Sequence, residues 1–318
     1  MNKNVAFHSN HLGIRGTEVA LYDYADYNET ILNNTSFIFA KNNNIINDEK
    51  VIKKFKDRFN NRVFLYDDFC EVDDILLELD IKYFYAQKAG NNDGKISKVA
   101  KNLIHSVFQL YDPHGEIYVY ISKWLSTKMN NSCDFIPYIV TLPKNKENML
   151  NELNIPKNSI VFGRHGGNDT FDISFVKEII IDVVNKRDDI YFLFLNTDKF
   201  YEHKQIIYLD CVAKLEDKVK FINSCDALLH ARVQGESFGL AISEFLFCNK
   251  PVITYFGGVD LNHIEMLNKY GIYYKNKSDI DYIINNFNDI KKYKDYSFLV
   301  SDFSPEKVMK KFDELFLK

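Results

Sequence analysis

Residues Cys225 to Tyr255 read CDALLHARVQGESFGLAISEFLFCNKPVITY, and their pattern decides the architecture of the chain. The apolar run around Ala227–Leu229 predicts a short buried strand, and the polar stretch that follows, with Gly235 and Gly239, predicts a loop. An apolar helix opens at about Phe238, and Pro251 introduces a second strand, KPVITY. Strand, loop, helix and strand in this order make one unit of a parallel sheet. The helix then begins at the carboxyl end of a strand, where open α/β sheets bind ligands. Its free backbone N–H groups and its dipole favour an anion such as a diphosphate. Gly235 and Gly239 let the backbone come close.

Two carboxylates flank that helix start. Glu236 lies in the loop and Glu244 lies eight positions on, about one and a half turns into the helix. Carboxylates accept hydrogen bonds from sugar and ribose hydroxyls, but two of them beside a diphosphate would repel it unless they sit at its two ends. The spacing implies an elongated ligand ordered sugar, phosphates, ribose. A glutamate pair alone carries little weight among 44 acidic residues, so the surrounding string must support it.

Outward from this segment the same alternation recurs. In the first half NVAF, SFIFA, RVFLY, IKYFYA, NLIHSVF and EIYVYIS read as strands, and FIPYIV closes the set. GTEVALYDYADYN, residues 48–60 and SKWLSTKM read as helices. Residues 143–156 mix charge, Asn and Pro without a strand pattern and read as a connector. A second series follows: SIVFGR, a helix over 173–187, DIYFLFLN, IIYLDC, a helix over 215–224, and the segment quoted first. The expected domains are therefore 1–142 and 143–302, two similar α/β units leaving a cleft. Ser304–Pro305 reads as an N-cap and first helical residue, opening a final helix within 303–318 that must pack on a domain.

Composition narrows the function classes. With 318 residues, 46% hydrophobic, two domains can each bury a core. The net charge of −4 provides no basic field for nucleic acid. The start, MNKNVAFHSN, lacks a signal-peptide core, and no run of about 18 apolar residues appears, so a cytoplasmic protein is expected. Cys70, Cys133, Cys211, Cys225 and Cys248 form no C-x-x-C pair and read as small buried apolar residues rather than a disulfide or zinc framework.

The string ESFG, Glu244 and NKPVI closely resembles the E-x(7)-E signature of retaining family-four glycosyltransferases. Ser237 stands where that family has a small residue. Asn249 stands at the family's usual Gly, and it too can adopt a left-handed C-cap conformation. The resemblance implies α/β GT-B architecture, two Rossmann-like domains with parallel sheets facing a central cleft, the last helix returning to the first domain, and a nucleotide-sugar donor. Glu236 would contact the transferred sugar, Glu244 the ribose, and the amides around Phe238, Gly239 and Leu240 the diphosphate.

Further positions match in order. SIVFGRHGGNDTFD resembles the family's G-R-x-x-x-x-K loop, with Arg164 on the donor phosphates, but Asp169 occupies the lysine position. Arg232 is a second cation that can compensate. FHSNHLGIRGTEVALYDYA resembles the first strand, loop and helix, placing Gly16 at the phosphates and making Arg15 and Glu18 candidate acceptor or phosphate contacts. His105, at the end of a strand, matches a histidine that the family presents to the donor sugar, and is taken with Glu236 and Arg164 as a catalytic candidate. No D-x-D pair suggests a metal, and the resemblance implies none and no cofactor. The acceptor, whether a glycan, a lipid-linked sugar or a small molecule, is undetermined, and peripheral membrane contact stays open. The alternatives are an epimerase or hydrolase on the same fold and a non-catalytic sugar-nucleotide-binding protein.

Overall fold

The computed structural model describes residues 2–129, 134–210, 214–291 and 295–318. The chain forms two compact units, Met1–Ile139 with Phe303–Lys318, and Val140–Asp302. The boundary thus falls before the connector expected at 143. Cys133 and Cys211 lie outside the described residues.

In the first unit, β1 (Asn4–Ser9), α1 (Gly16–Thr30), β2 (Thr35–Lys41), α2 (Glu49–Phe59), β3 (Val63–Tyr66), α3 (Cys70–Glu78), β4 (Tyr83–Lys88), β5 (Lys101–Ser106), β6 (Ile117–Tyr120) and α4 (Lys123–Lys128) follow in order. Among the described residues the strands make one parallel sheet ordered β3-β2-β1-β4-β5-β6. The direction of winding reverses between β1 and β4. Continuous burial of Val5–Ser9 and Phe84–Lys88 reflects strands covered on both faces. Asp48 caps α2, its Oδ1 accepting from the Lys50 and Val51 N–H groups at 2.9 and 3.0 Å.

FIPYIV forms no strand. Pro137 has no N–H to give a ladder, and neighbouring carbonyls serve side chains instead: the Tyr24 hydroxyl donates to Pro137 O at 2.7 Å, and His105 Nε2 bonds Ile136 O at 2.9 Å. Phe135 retains an isolated bridge to Tyr120. Cys70 is exposed, contrary to the burial expected of it, because it starts α3 with its N–H on Asp68 Oδ1. Cys225 is buried and Cys248 half-buried.

The second unit runs β7 (Ile160–His165), α5 (Ser174–Val184), β8 (Ile190–Leu195), β9 (Ile206–Leu209), α6 (Leu215–Asn223), β10 (Ala227–His230), β11 (Gly235–Glu236), α7 (Leu240–Phe247), β12 (Val252–Tyr255), β13 (Asp260–Leu261), α8 (Asn262–Leu267), β14 (Ile272–Tyr274), α9 (Lys277–Asn285) and α10 (Phe287–Ile290). Six of its described strands form a parallel sheet ordered β14-β12-β10-β7-β8-β9, the same winding, with the reversal between β7 and β10, and β11 pairs with β13 in a separate two-stranded sheet. Asn249, just past α7, adopts φ 60°, and its Oδ1 accepts the Tyr296 N–H at 2.7 Å.

The last helix, α11 (Pro305–Phe312), belongs to the first unit. Its apolar face, Val308, Met309 and Phe312, is buried. The Phe312 ring lies 5.4 Å from those of both Tyr24 and Tyr85 and 6.1 Å from Phe7. Among the described residues no helix is long and apolar enough to cross a membrane.

Candidate functional site

The helix after the polar loop begins at Leu240, two residues later than the sequence suggests, because Gly239 takes a left-handed conformation, φ 90°, as its N-cap. It carries no side-chain cap, so no side chain takes up its first-turn N–H groups. Gly235 serves a different purpose from close ligand approach. Its φ is 77°, and a Cβ there would meet Asp260 O at 2.1 Å, where β11 pairs with β13. Asn262 Nδ2 bonds Phe238 O at 2.7 Å and holds the loop from the other side.

This support aims Glu236. Its Oε1 lies 3.1 Å from His230 Nε2, and its Oε2 accepts from Arg232 Nη1 at 3.1 Å. His230 Nδ1 lies 2.8 Å from Thr254 Oγ1, so a ring donating from Nε2 accepts the threonine proton at Nδ1. Burial pushes the Glu236 carboxyl up, but His230 and Arg232 outweigh it and hold it at about 2. It is ionised throughout the neutral range and suits hydrogen-bond acceptance rather than proton donation.

Glu244 is more deeply placed, 4% exposed. Lys218 Nζ, from α6, donates to its Oε1 at 2.7 Å, and His165 Nε2, at the end of β7, lies 3.1 Å from its Oε2. Burial opposes ionisation here as well, and Lys218 and His165 bring the carboxyl down to about 2. Neither Lys218 nor His165 was singled out from the sequence: nothing local marks them, since three separate elements bring them to Glu244.

Arg164 is 4% exposed, and its guanidinium is shared among Asn196 O, Thr197 Oγ1, Gly167 O and Thr170 Oγ1 at 2.5–3.0 Å. It ties the loop after β7 to the loop after β8, partners that the sequence reading of a phosphate-directed cation did not include. Burial lowers it to about 10, with Glu236 and Asp169 opposing. Asp169 is exposed. Arg232, half-buried and bonded to Glu236, is the cation nearest the uncapped helix start along the chain. Ser237 lies between Glu236 and Phe238, whose side chain is buried.

In the first unit Arg15 is the N-cap of α1, and Gly16 is its exposed first residue. Glu18 faces inward, 2% exposed. His105 is not presented to a ligand. It is fully buried, with Nδ1 2.8 Å from Tyr85 Oη and Nε2 on Ile136 O, and burial depresses it to about 3. The catalytic expectation is corrected: the neutral ring is a core crosslink, packed by Tyr24 and, from the chain's far end, Phe316.

The paired carboxylates make the second unit acid-sensitive. Each carboxyl is ordinary at 4.5 when unfolded and held at about 2 when folded, so its contribution is complete above 4.5 and is lost as pH falls towards 2. Urea unfolding at pH 6 and pH 3 is expected to show a loss on the order of 2–3 kcal/mol from Glu244, which is buried, and less from the partly exposed Glu236. A Glu244→Gln chain with the same acid slope as wild type would refute this origin.

Two α/β units, each with the strand order of a Rossmann-like sheet, define the GT-B architecture. Solved structures of this architecture include a glycosyltransferase from Rickettsia africae, 15% identical with a TM-score of 0.72, the match covering 99% of this chain and 98% of that one. HepE (Alr3699) of Anabaena, determined with UDP, is 13% identical with a TM-score of 0.71 over 99% of each chain. Sucrose-phosphate synthase of Thermosynechococcus elongatus is 10% identical with a TM-score of 0.63, over 99% of this chain and 95% of its own. No protein-family model matches the sequence, and no curated protein matches it by sequence. At these identities the likeness establishes architecture.

Proposed function

We propose that the protein is a glycosyltransferase that moves a sugar from a nucleotide-diphosphate sugar to an acceptor hydroxyl with retention of configuration and without a metal. The observation that carries this is Glu236. It is an ionised carboxylate held at both oxygens beside an uncapped helix N-terminus, at the sheet's topological switch point. A polyhydroxylated anion fits that arrangement, with hydroxyls on Glu236 and phosphates on the amides of Gly239 and Leu240 and on Arg232. Glu244 takes the ribose at the far end. Arg164 organises the surrounding loops.

In transfer, the bond from the anomeric carbon to the diphosphate breaks, and its electron pair leaves with the phosphate oxygen. The acceptor oxygen bonds the same face and passes its proton to that departing oxygen. The protein's part is positioning and electrostatic stabilisation of the leaving group. Glu236 orients the sugar and is not the nucleophile.

Exposed Asp169 in place of a lysine, with the Arg164 charge committed to its own loops, supports the second reading, a sugar-nucleotide-binding protein without turnover. Thermal unfolding with UDP, GDP, ADP and their sugar conjugates separates the cases. HepE was determined with UDP and with UDP-glucose, so the uridine series comes first. One nucleotide series is expected to stabilise the second unit by about 2.7 kcal/mol at a hundredfold excess over Kd, and Glu244→Gln is expected to weaken that shift at least tenfold in Kd. No shift with any nucleotide defeats both readings. A shift without sugar release or transfer selects the second.

A further inference from the structure

The candidate site stands on α7, and α7 is short. A helix of fewer than about 12–15 residues is marginal in water by itself. The eight residues of Leu240–Phe247 are therefore held in place by what grips them. Lys218 grips the side of the helix through Glu244, and Asn262 grips the loop before it through Phe238 O. The far end closes in a Schellman turn, in which the Asn249 N–H bonds Leu246 O and the Lys250 N–H bonds Phe245 O, both at 2.9 Å. That turn uses the left-handed conformation of Asn249, φ 60°.

Glycine makes such a turn with the least strain. What glycine lacks is a side chain, and the side chain of Asn249 has a partner 47 positions on: its Oδ1 accepts the Tyr296 N–H at 2.7 Å. Tyr296 lies in a stretch anchored at several points. Asp295 Oδ1 accepts the Ser297 N–H at 2.9 Å and the Ser297 hydroxyl at 2.8 Å, at the start of the 3-10 turns of Ser297–Phe303. Tyr296 and Val300 are buried, and the exposed Phe298 ring meets Tyr270 edge-on with centroids 5.0 Å apart. The chain then runs through Ser304 into α11, which belongs to the first unit.

The bond from Asn249 to Tyr296 thus joins the end of the helix of the candidate site to the stretch that leads out of the second unit. Elements joined in this way open locally as one, because the loss of either removes an anchor of the other. A ligand that orders one then orders both.

We propose that Asn249 is a positioning residue that makes α7 and residues 295–302 one cooperative unit, so that a ligand seated at the first turn of α7 also stiffens the stretch leading into the last helix. The ligand half of this rests on the donor reading above; the joint between α7 and Tyr296 rests on the second unit alone.

Hydrogen exchange read by mass spectrometry on the full chain tests it, in wild type, Asn249→Gly and Asn249→Asp, each free and with UDP, GDP or ADP. Asn249→Gly keeps the left-handed turn and removes the acceptor, whereas Asn249→Asp keeps an acceptor oxygen. Asn249 is exposed, so both variants are expected to fold and to melt close to wild type. In the free chain the amides of residues 296–302 are expected to exchange about fivefold faster in Asn249→Gly, as for the loss of one side-chain hydrogen bond. Residues 245–250 are expected to follow in the same direction, and Asn249→Asp to stay within about twofold of wild type. A nucleotide that binds is expected to slow α7 and residues 296–302 together in wild type, and α7 alone in Asn249→Gly. Unchanged exchange of residues 296–302 in free Asn249→Gly, or exchange in Asn249→Asp as fast as in Asn249→Gly, would overturn the joint. Nucleotide protection confined to α7 in wild type, or reaching residues 296–302 in Asn249→Gly as well, would overturn the coupling. The donor reading fails separately: if no nucleotide slows α7, that reading falls and the ligand half with it, while the free-chain comparison still decides the joint.

Discussion

Phe312→Ala is expected to destabilise the first unit by about 3–5 kcal/mol, the largest stability effect of a single substitution argued for this chain. The ring is fully buried. It packs on Phe7 of β1, Tyr24 of α1, Tyr85 of β4 and Phe316, with centroids 5.1–6.1 Å apart. Truncation leaves a cavity bounded by large rings that pack against one another and cannot easily collapse into it. His105, bonded to Tyr85 and packed on Phe316, loses part of its support as well. In a thermal melt the first unit's transition should fall by roughly 10 °C, while that of the second unit moves little. A shift of less than about 2 °C would show that α11 does not complete the first unit's core.

Glu236→Gln is expected to lower kcat for transfer about a hundredfold, with the donor identified by thermal shift as substrate. Glutamine keeps the shape of the side chain and one acceptor oxygen but places an NH₂ group against a second donor, from Arg232 or His230. The sugar loses its negative anchor, and Arg232 loses its counter-charge. Because Glu236 is partly exposed, the stability cost should stay near 1 kcal/mol, so activity falls in a folded protein. Nucleotide release measured under saturating donor provides kcat. A value within threefold of wild type would remove Glu236 from the site, and an equal loss of nucleotide affinity would make it a structural support of α7.

Most of the architecture could be read from the chain because parallel strands buried on both faces leave continuous apolar runs, and the helices between them leave spaced ones. NVAFHS and IYFLFL announce themselves locally. FIPYIV has the same composition and failed, since Pro137 breaks the ladder and the carbonyls of Ile136 and Pro137 go to side chains of β5 and α1. In the candidate site the local step from loop to helix was legible. Glu236, Gly239 and Leu240 form one contiguous string whose spacing survives into the structure. The partners of that string are another matter: Thr254 behind His230, and Lys218 and His165 on Glu244, come from distant elements.

The sequence by itself determined the βαβ alternation, the two-unit plan, the loop-to-helix step to within two residues of Gly239 and the left-handed turn at Asn249, because each depends on residues within a few positions of one another. Tertiary structure alone decided which polar groups are consumed inside the protein. Arg164 and His105 stand at strand ends that the sequence marks as functional. Yet the loops at 166–170 and 196–197 take the guanidinium, and Tyr85, Ile136 and Phe316 enclose the imidazole. The reason is physical: a side chain's hydrogen-bond partners are set by which backbone and side-chain atoms the fold brings within about 3 Å, and those atoms come from parts of the chain far apart in sequence.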